Sequence, residues 1–505
     1  MPNARRPNII FLMTDQHRWD ALGCANPVVR TPHLDALAAQ GIRYGQAICN
    51  VPCCIPSRYS MMTGLYGSQC GIRANAQMIP TDDELPLPVI PQRLHRLGYQ
   101  TAGFGKTHWY AEVPGAPGPR PSRRGFEVRT HTESQHTVHA EPGMLHQDQD
   151  DPEGFARFRR EIAPYGYGGE NAAGYIGCTS AVPASEHREG WGTAQALRFL
   201  DEQRDPERPL FLYLSFDQPH AGFNVPAGYE DLYRLDDIPD RPLPPWADGA
   251  SRHCMPHEHA PLPTSGRMDL RERWANMDPR ERRRTTLRYY AMCSYVDDMF
   301  GRVLGRLRET GELEDAFVIF CSDHGEMLGD RLHLFSKYCL YEGSVRVPLI
   351  VAGAGVPEDR RGSVDDRCAE LIDVLPTLLQ VSGEPPDRTL PGRSLLEAPC
   401  RRGGFAEYHG VGGETVQSGP AYLWRTKTWK LILYFAEDLS QAVNHTDRVR
   451  GELYDLEHDP HEWRNLFADE RHAERREALT RELLMHLACA WARYPRHAAK
   501  AGLGA

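Results

Sequence analysis

Short, continuous apolar runs recur along the chain and alternate with segments of helical periodicity. The runs cover 9–13, 100–105, 210–216, 317–321 and 348–352, and the helical patterns cover 31–40, 283–307 and 369–381. Continuous apolar strands separated by helices are typical of a mostly parallel sheet that is covered on both faces. We therefore predict an α/β fold in which helices flank a large, mostly parallel central sheet.

The pattern changes after about residue 400. Three short segments, 421–425, 429–433 and 452–456, predict strands, and 473–490 predicts a terminal helix. We predict a large α/β domain over 1–400 and a smaller subdomain over 401–505, built from an antiparallel sheet and one helix.

Polar residues follow several of the predicted strands. They are Asp15, Lys106 with His108, His220, and Asp323 with His324. In parallel sheets the carboxyl ends of the strands meet at one edge, and ligands bind there. The sequence therefore predicts that chemically reactive side chains from distant parts of the chain converge on this edge.

Length, charge and cysteine content narrow the class of protein. A chain of 505 residues with 41% apolar residues is long enough for one large domain and a smaller one. A net charge of −10 without a concentrated basic block argues against a nucleic-acid partner. Thirteen cysteines, an odd number without a spaced framework, predict reduced thiols in a cytoplasmic protein.

The N-terminus is basic and then apolar, but it does not read as a signal peptide. The apolar run at 8–13 is too short and is followed by polar residues rather than a small-residue cleavage site. We predict a buried first strand and no membrane partner. The sequence leaves open whether the chain forms a homo-oligomer.

The most specific motif is the run C-I-P-S-R-Y-S-M-M-T-G from Cys54 to Gly64. Pro56 suits the first turn of a helix and Gly64 suits its C-terminal end, so Cys54 is expected just before the helix N-terminus. An oxyanion is stabilised at that position. The simpler alternative is a small buried cysteine ahead of an ordinary helix.

This run resembles the C-x-P-S-R-x-x-x-x-T-G motif of the type I sulfatases, which belong to the alkaline phosphatase superfamily. Two C-terminal segments, 425–431 and 453–460, are similar to the R-x-x-x-W-K-L and L-Y-D-L-x-x-D-P motifs of that family. The resemblance implies that Cys54 is oxidised to formylglycine by a formylglycine-generating enzyme. One hydroxyl of the hydrated aldehyde then attacks sulfur, and deprotonation of the other releases sulfate from the covalent intermediate, which divides one displacement into two easier steps. The domain over 1–400 is then the catalytic domain.

The resemblance also implies a divalent cation held by Asp15, Gln16, Asp323 and His324, together with the formylglycine at Cys54. Many members of the family have a second acid in place of Gln16, and several have asparagine in place of His324. Similar pairs occur in choline sulfatases and phosphonate monoester hydrolases, so the metal stays open between calcium, the first expectation, and manganese. The cation is expected to neutralise an ester oxygen and to lower the pKa of the hydrate hydroxyl.

Further residues match the basic residues of the active site in this family. By resemblance Arg58 orients the formylglycine hydrate, and Lys106 and Lys337 bind the ester oxygens. Asn75 is a candidate contact to the hydrate and to the substrate. Fixed cations that face developing negative charge are a large catalytic effect.

Two histidines carry the proton transfers that the resemblance implies. His220 is expected to protonate the leaving alcohol or to contact the bridging oxygen and so to bind substrate, and His108 is expected to act as the base that starts collapse of the intermediate. Histidine is suited to acid and base work near neutral pH.

The first function is therefore a metal-dependent sulfuric ester hydrolase that acts on a small-molecule sulfate ester. The second is a phosphonate or phosphate monoester or diester hydrolase on the same scaffold, and the third is a binding protein on a degenerate scaffold. Lys106 and His108 favour sulfate, and retention of the nucleophile, cations and metal positions argues against the binding protein.

Two further groups of residues are of interest. Two histidine clusters lack the spacing of a metal site and are predicted to lie in solvated loops. The first consists of His131, His136, His139 and His146, and the second of His253, His257 and His259. The aromatic residues that flank the predicted edge are Trp109, Tyr110, Tyr165, Tyr167, Phe223 and Trp246. They form either a wall for the organic part of the substrate or ordinary core packing.

Overall fold

A computed structural model describes residues 6–75, 77–79, 81–111, 120–133, 144–162, 177–247, 274–397, 401–409, 420–435 and 450–493. Its strands are β1 Ile9–Thr14, β2 Gly41–Ile48, β3 Gln100–Gly105, β4 Tyr110–Ala111, β5 Arg120–Pro121, β6 Val128–His131, β7 Met144–His146, β8 Cys178–Ser180, β9 Leu210–Ser215, β10 Asn224–Pro226, β11 Phe317–Ser322, β12 Leu349–Gly353, β13 Ser363–Glu370, β14 Gly404–Tyr408, β15 Ala421–Arg425, β16 Trp429–Tyr434 and β17 Arg450–Asp455.

The helices are α1 Pro32–Gln40, α2 Cys54–Thr63, α3 Gly67–Cys70, α4 Ile90–Arg96, α5 Gln147–Asp150, α6 Pro152–Ile162, α7 Arg188–Glu202, α8 Pro279–Glu309, α9 Asp330–His333, α10 Glu342–Val345, α11 Val374–Val381 and α12 Ala473–Arg493. Within the described residues, no helix combines the length and the apolar character needed to cross a bilayer.

The main sheet has the strand order β13-β2-β12-β11-β1-β9-β3-β6-β7. Strand β12 is antiparallel to both of its neighbours, and the other pairs are parallel. The central strands are buried at every position because helices cover both faces. The predicted α/β fold with a large, mostly parallel sheet is confirmed.

Alternate residues of β1 face two separate hydrophobic cores. Phe11 packs in the core that contains Tyr59 of α2, whereas Leu12 packs in the core that contains Met292 of the long helix α8. Helix α8 is capped at its start by the Asp278 carboxylate, which accepts a hydrogen bond from the Glu281 N–H at 3.0 Å. The polar residues that follow the strands emerge at the sheet edge between these two cores.

The C-terminal part forms a four-stranded antiparallel sheet in the order β14-β15-β16-β17, and α12 packs on it. The antiparallel sheet with one helix is confirmed, and β14 is a strand beyond those that the sequence pattern indicated. The boundary of the C-terminal subdomain at residue 401 stays a prediction.

A buried ionic network joins this sheet to the main domain. Glu342, the first residue of α10, accepts two hydrogen bonds of 2.8 Å from Arg425 and one of 3.3 Å from Lys430. Lys430 also pairs with Glu462 at 2.6 Å, and Glu462 accepts the Glu342 backbone N–H at 2.8 Å. Helix α10 is thereby anchored on the C-terminal sheet.

Two sequence expectations about local structure were wrong. The helix predicted over 369–381 begins only at Val374, because 363–370 pair with β2 as strand β13. His131 and His146 lie on β6 and β7 and are buried, with ring centroids 4.6 Å apart, rather than in solvated loops. Strand β6 has one apolar residue and β7 has only three residues, so the sequence pattern predicts neither strand. The other five histidines of the two clusters lie outside the described residues.

Candidate active site

The carboxyl ends of β1, β11, β9 and β3 form the edge that carries the candidate site. In register, Thr14 lies opposite Ser322, and Gly105 lies opposite Ser215. The residues that follow these strands, Asp15, Asp323 and Lys106, therefore emerge side by side. The structure brings them together as the strand-end rule predicts.

Helix α2 brings Cys54 to the same edge. Cys53 is its N-cap and Cys54 is its first residue, so Cys54 lies in the first turn rather than before it. Gly64 ends the helix with φ +70°, a conformation that suits glycine, and its N–H bonds to the Ser60 carbonyl. Asn75 Oδ1 accepts hydrogen bonds from the Ile55 N–H at 3.0 Å and from Cys53 Sγ at 2.9 Å. Asn75 thus supports the start of α2, and its contact to substrate stays a prediction.

Four buried side chains converge at this point. Asp15, Cys54, Asp323 and His324 each offer one ligand atom, and these atoms all lie within 4.8 Å of one another. His324 Nε2 is 3.2 Å from Cys54 Sγ, 3.5 Å from Asp15 Oδ1 and 3.6 Å from Asp323 Oδ1. This is the donor set of a divalent cation site.

The hydrogen bond made by His324 Nδ1 determines which ring nitrogen carries the proton. Nδ1 lies 2.9 Å from the Gly325 carbonyl, which can only accept, so the proton is on Nδ1 and the Nε2 lone pair faces Asp15 and Asp323. Burial lowers the pKa of His324 to about 4, against the opposing effect of Asp323. A neutral imidazole and two carboxylates that face one another as acceptors fit a shared cation.

Arg58 is fully buried beneath this cluster. Its Nε donates to Asp323 Oδ2 at 2.7 Å, and its Nη1 donates to the Lys106 carbonyl at 2.9 Å and to Ser215 Oγ at 3.1 Å. Its Nη2 is 3.7 Å from Asp15 Oδ2. Arg58 therefore ties the ends of four strands together, namely β11, β3, β9 and β1.

Lys106 lies beside Asp15, with Nζ 2.6 Å from Asp15 Oδ2 and 3.2 Å from Asp217 Oδ1. Burial alone would raise the pKa of Asp15, but the charges of Lys106 and Lys337 hold that pKa well below its usual value. Asp15 is therefore a carboxylate at neutral pH.

The Cys54 thiol lies in an environment that disfavours the thiolate. Burial, and then the charge of Asp15, raise its pKa to about 12, although Lys337 Nζ lies 2.9 Å from Sγ. An unmodified Cys54 is thus a protonated thiol and a weak nucleophile at neutral pH.

Lys337 also contacts the two other predicted residues Gln16 and His220. Its Nζ is 3.0 Å from Gln16 Oε1 and 3.0 Å from His220 Nε2. Burial, and then Lys337, hold the pKa of His220 well below its usual value, so the ring is neutral. The ammonium donates to Nε2, and the remaining ring proton on Nδ1 faces the Ala221 carbonyl at 3.2 Å.

His108 lies on the turn after β3 and has a φ of +58°. Glu133 holds this turn: its Oε1 accepts the Thr107 N–H at 2.8 Å and the His108 N–H at 3.1 Å. Burial, and then Lys106 and Arg58, keep the pKa of His108 well below its usual value, so this ring too is neutral.

Three carboxylates in and around the site did not emerge as site residues from the sequence. Asp217 pairs with Lys106, Glu133 holds the His108 turn, and Glu326 accepts a hydrogen bond from Gln16 Nε2. Asp217 lies three residues before His220, and Glu326 lies two residues after His324, so attention to acids beside these predicted site residues could have identified both. Glu133 follows β6, so its only signal is a strand that the sequence pattern does not reveal.

The aromatic residues near the edge serve mainly in packing. Trp109 is buried and stacks on Phe126 and Tyr213, and Phe223 is buried against Tyr289. Trp246 donates to the Trp463 carbonyl at 2.7 Å, and Tyr110 lies edge-on to His108. Core packing and loop contacts are thus confirmed for Trp109, Phe223 and Trp246, while Tyr165 and Tyr167 lie outside the described residues.

Solved structures of other proteins share this fold. A phosphonate monoester hydrolase of Agrobacterium radiobacter superposes with a TM-score of 0.72 at 22% identity, covering 96% of each chain. A protein solved with its substrate D-glucosamine-2-N,6-O-disulfate superposes with a TM-score of 0.69 at 21% identity, covering 97% of this chain and 98% of that chain.

The chain belongs to the sulfatase family, whose model matches residues 7–384. A second model, for the C-terminal part of N-sulphoglucosamine sulphohydrolase, matches residues 330–488. An arylsulfatase of Clostridium perfringens is 27% identical over 95% of this chain and 94% of its own. A choline-sulfatase of Rhizobium meliloti is 29% identical over 92% and 83%, and a multifunctional alkaline phosphatase superfamily protein of Trinickia caryophylli is 28% identical over 93% and 92%. The chain is an enzyme of the sulfuric ester hydrolase type.

Proposed function

We propose that this enzyme cleaves a small-molecule organic sulfate ester to an alcohol and inorganic sulfate, with formylglycine at Cys54 as the nucleophile and a divalent metal beside it. The observation that carries the proposal is the convergence of Cys54 with Asp15, Asp323 and His324 within 4.8 Å. Three basic groups border this cluster, namely Arg58, Lys106 and Lys337.

Conversion of Cys54 fits its surroundings better than use of the thiol. The thiol is protonated at neutral pH, and a thiol carries no second hydroxyl with which to expel sulfate. Formylglycine supplies a hydrated aldehyde, so that a covalent sulfate ester forms and is then released without water having to attack sulfur. A formylglycine-generating enzyme is the proposed maturation partner.

Asp15, Asp323 and His324, with the amide oxygen of Gln16, are the proposed metal ligands. A divalent cation there would stabilise negative charge on the ester oxygens and acidify the nucleophile. The oxygen ligands suit calcium, our first candidate, whereas the imidazole of His324 is better tolerated by manganese, the second candidate. The neutral state of His324 supports this assignment, because a ligating histidine must be deprotonated at the ligand nitrogen.

The lysines are proposed to bind the sulfate group. Lys106 is held by Asp15 and Asp217, and Lys337 is held by Gln16 and His220, so both ammonium groups are fixed before substrate arrives. Preorganised cations stabilise charge that develops on the transferred group without reorganisation. Arg58 is proposed to orient the nucleophile through its contact to Asp323.

The histidines are proposed to divide the proton transfers. His220 contacts the bridging oxygen and, with Lys337 as its hydrogen-bonded proton source, delivers a proton to the leaving alcohol. His108, neutral and held by the Glu133 turn, is the base that takes the proton whose loss releases sulfate. Both rings start neutral, as a base requires and as a proton relay from Lys337 allows.

A phosphonate or phosphate ester hydrolase on the same site is the second candidate. It is favoured by the pair Gln16 and His324 and by the similarity to the multifunctional relative of Trinickia caryophylli. Sulfate and phosphate esters share a tetrahedral geometry and differ mainly in charge, so the same cradle can accept both.

Matched substrates test the proposal. Protein shown by mass spectrometry to carry formylglycine at Cys54 should be assayed against an aryl sulfate, an aryl phosphonate and an aryl phosphate with the same leaving group. We expect the highest kcat/KM for the sulfate and loss of activity with a chelator. A higher kcat/KM for the phosphonate would favour the second candidate, and activity of the unmodified thiol form would exclude the formylglycine mechanism.

A further inference from the structure

A buried amide at the edge of the site lies between a cation and an anion. The side chain of Gln16 contacts Lys337 through Oε1, at 3.0 Å from Nζ, and contacts Glu326 Oε2 through Nε2. Gln16 and Glu326 are both fully buried. An ammonium can only donate hydrogen bonds and a carboxylate can only accept them. The Gln16 amide therefore directs its oxygen toward Lys337 and its NH₂ toward Glu326.

The second oxygen of Glu326 organises the loop that carries Lys337. Glu326 Oε1 accepts the Leu328 N–H at 2.8 Å and also the Ser336 N–H. Leu328 and Ser336 have φ values of +48° and +68°, conformations that L-residues rarely adopt. One carboxylate thus holds both ends of a strained loop and the amide of Gln16.

We propose that Glu326 is a positioning residue that holds the Gln16 amide with its oxygen toward Lys337, whose Nζ also contacts Cys54 Sγ. This inference rests on the proposed function, since Gln16 is one of the ligands assigned there. It also explains why an amide occupies position 16. An acid at this position would place its carboxylate directly against the carboxylate of Glu326, and two buried like charges in contact are costly.

Reciprocal substitutions test this pairing, because glutamine and glutamate have nearly the same shape. In Glu326→Gln, the new amide oxygen accepts the two backbone N–H groups, and its NH₂ faces the NH₂ of Gln16. Gln16 can avoid this contact between two donors only by turning its amide over. Its NH₂ would then face the Lys337 ammonium, which is again a contact between two donors. In Gln16→Glu, two carboxylates meet. In the double variant, the amide introduced at position 326 donates to the carboxylate introduced at position 16, which still accepts from Lys337, so every group has a partner again.

Metal affinity is the first measurement. Calorimetric titration of metal-depleted protein with Ca²⁺ or Mn²⁺ should show that E326Q binds about 10- to 100-fold more weakly than wild type, as is usual when a partner that orients a ligand is removed. The double variant should bind more tightly than E326Q.

Stability of the metal-free protein is the second measurement. In excess chelator, the thermal midpoint of Q16E should fall, and the double variant should melt above Q16E. Glu370→Gln is the matched control, because Glu370 is also a buried carboxylate that accepts a backbone N–H, from Phe405 at 2.7 Å, and lies outside the site. This control should lower the midpoint without changing metal affinity.

The outcomes separate the two proposals. If wild type binds metal but E326Q binds it equally tightly, or if the two substitutions act additively in chelator, the role of Glu326 is refuted. If wild type binds no metal while the double variant still melts above Q16E, the hydrogen-bonded pair stands but its role in metal binding is lost together with the proposed metal site.

Discussion

Arg58 offers a sharp test of how the site is held together, through the substitution Arg58→Lys. This change keeps the charge but removes the planar fork that contacts Asp323, Lys106 and Ser215 at once. A lysine ammonium on a flexible stem reaches one of these acceptors and leaves the others unpaired.

The expected cost follows from those contacts. Two buried acceptors lose their donor, and each such loss costs about 1–3 kcal/mol, so the free energy of unfolding should fall by about 2–6 kcal/mol. The carboxyl ends of β3, β9 and β11 also lose the side chain that connects them. A displacement of the catalytic groups on the order of 1 Å lowers turnover by about 100-fold.

Urea unfolding in excess chelator, followed by circular dichroism and tryptophan fluorescence, measures the first effect without a contribution from metal. Steady-state turnover of an aryl sulfate measures the second. Arg283→Lys is the control, because Arg283 pairs with Asp240 at 2.7 Å on the exposed surface and its replacement should leave both values near those of wild type. A loss of less than about 1 kcal/mol in Arg58→Lys, together with unchanged turnover, would refute the argument that the fork holds the site.

Three further predictions concern the proposed chemistry. The tryptic peptide of active enzyme should show formylglycine at Cys54, Cys54→Ala should be inactive, and Cys53→Ala should keep most activity; full activity of Cys54→Ala would contradict the assignment. Asp323→Asn should abolish metal binding measured by calorimetry while circular dichroism shows a retained fold, and metal found elsewhere by anomalous scattering would contradict it. His220→Ala should be most damaging for esters with poor, basic leaving alcohols, whereas His108→Ala should slow all substrates to a common rate and accumulate the covalent sulfate adduct, detected by intact mass. Equal losses on every substrate without an adduct would reject this division.

The arrangement of the main sheet follows from the sequence because its central strands are continuous apolar runs. Buried parallel strands leave their polar successors at one edge, so the meeting of Asp15, Lys106 and Asp323 is expected from the order of residues alone. The motif around Cys54 then indicates which chemistry the edge supports.

The remaining parts depend on contacts that no local pattern encodes. Gln16 and Glu326 are 310 residues apart in the chain, and their hydrogen bond is visible only once β1 and β11 are paired. Strand β6 has one apolar residue and β7 has only three residues, so neither gives a recognisable pattern. The burial of His131 and His146, and the hydrogen bonds of Glu133 to the His108 turn, therefore could not be predicted. The support of α2 by Asn75 is likewise a loop contact without periodicity.

The ionic network around Glu342 has a consequence for the order of events during translation. The segment that carries Lys337 leaves the ribosome well before the residues that anchor α10, namely Arg425, Lys430 and Glu462. Until those residues are made, Arg346, at 3.8 Å, is the charged partner that remains for Glu342 among the described residues. A nascent chain that ends near residue 400 therefore holds every residue proposed for the chemistry before the anchor of α10 on the C-terminal sheet has been made.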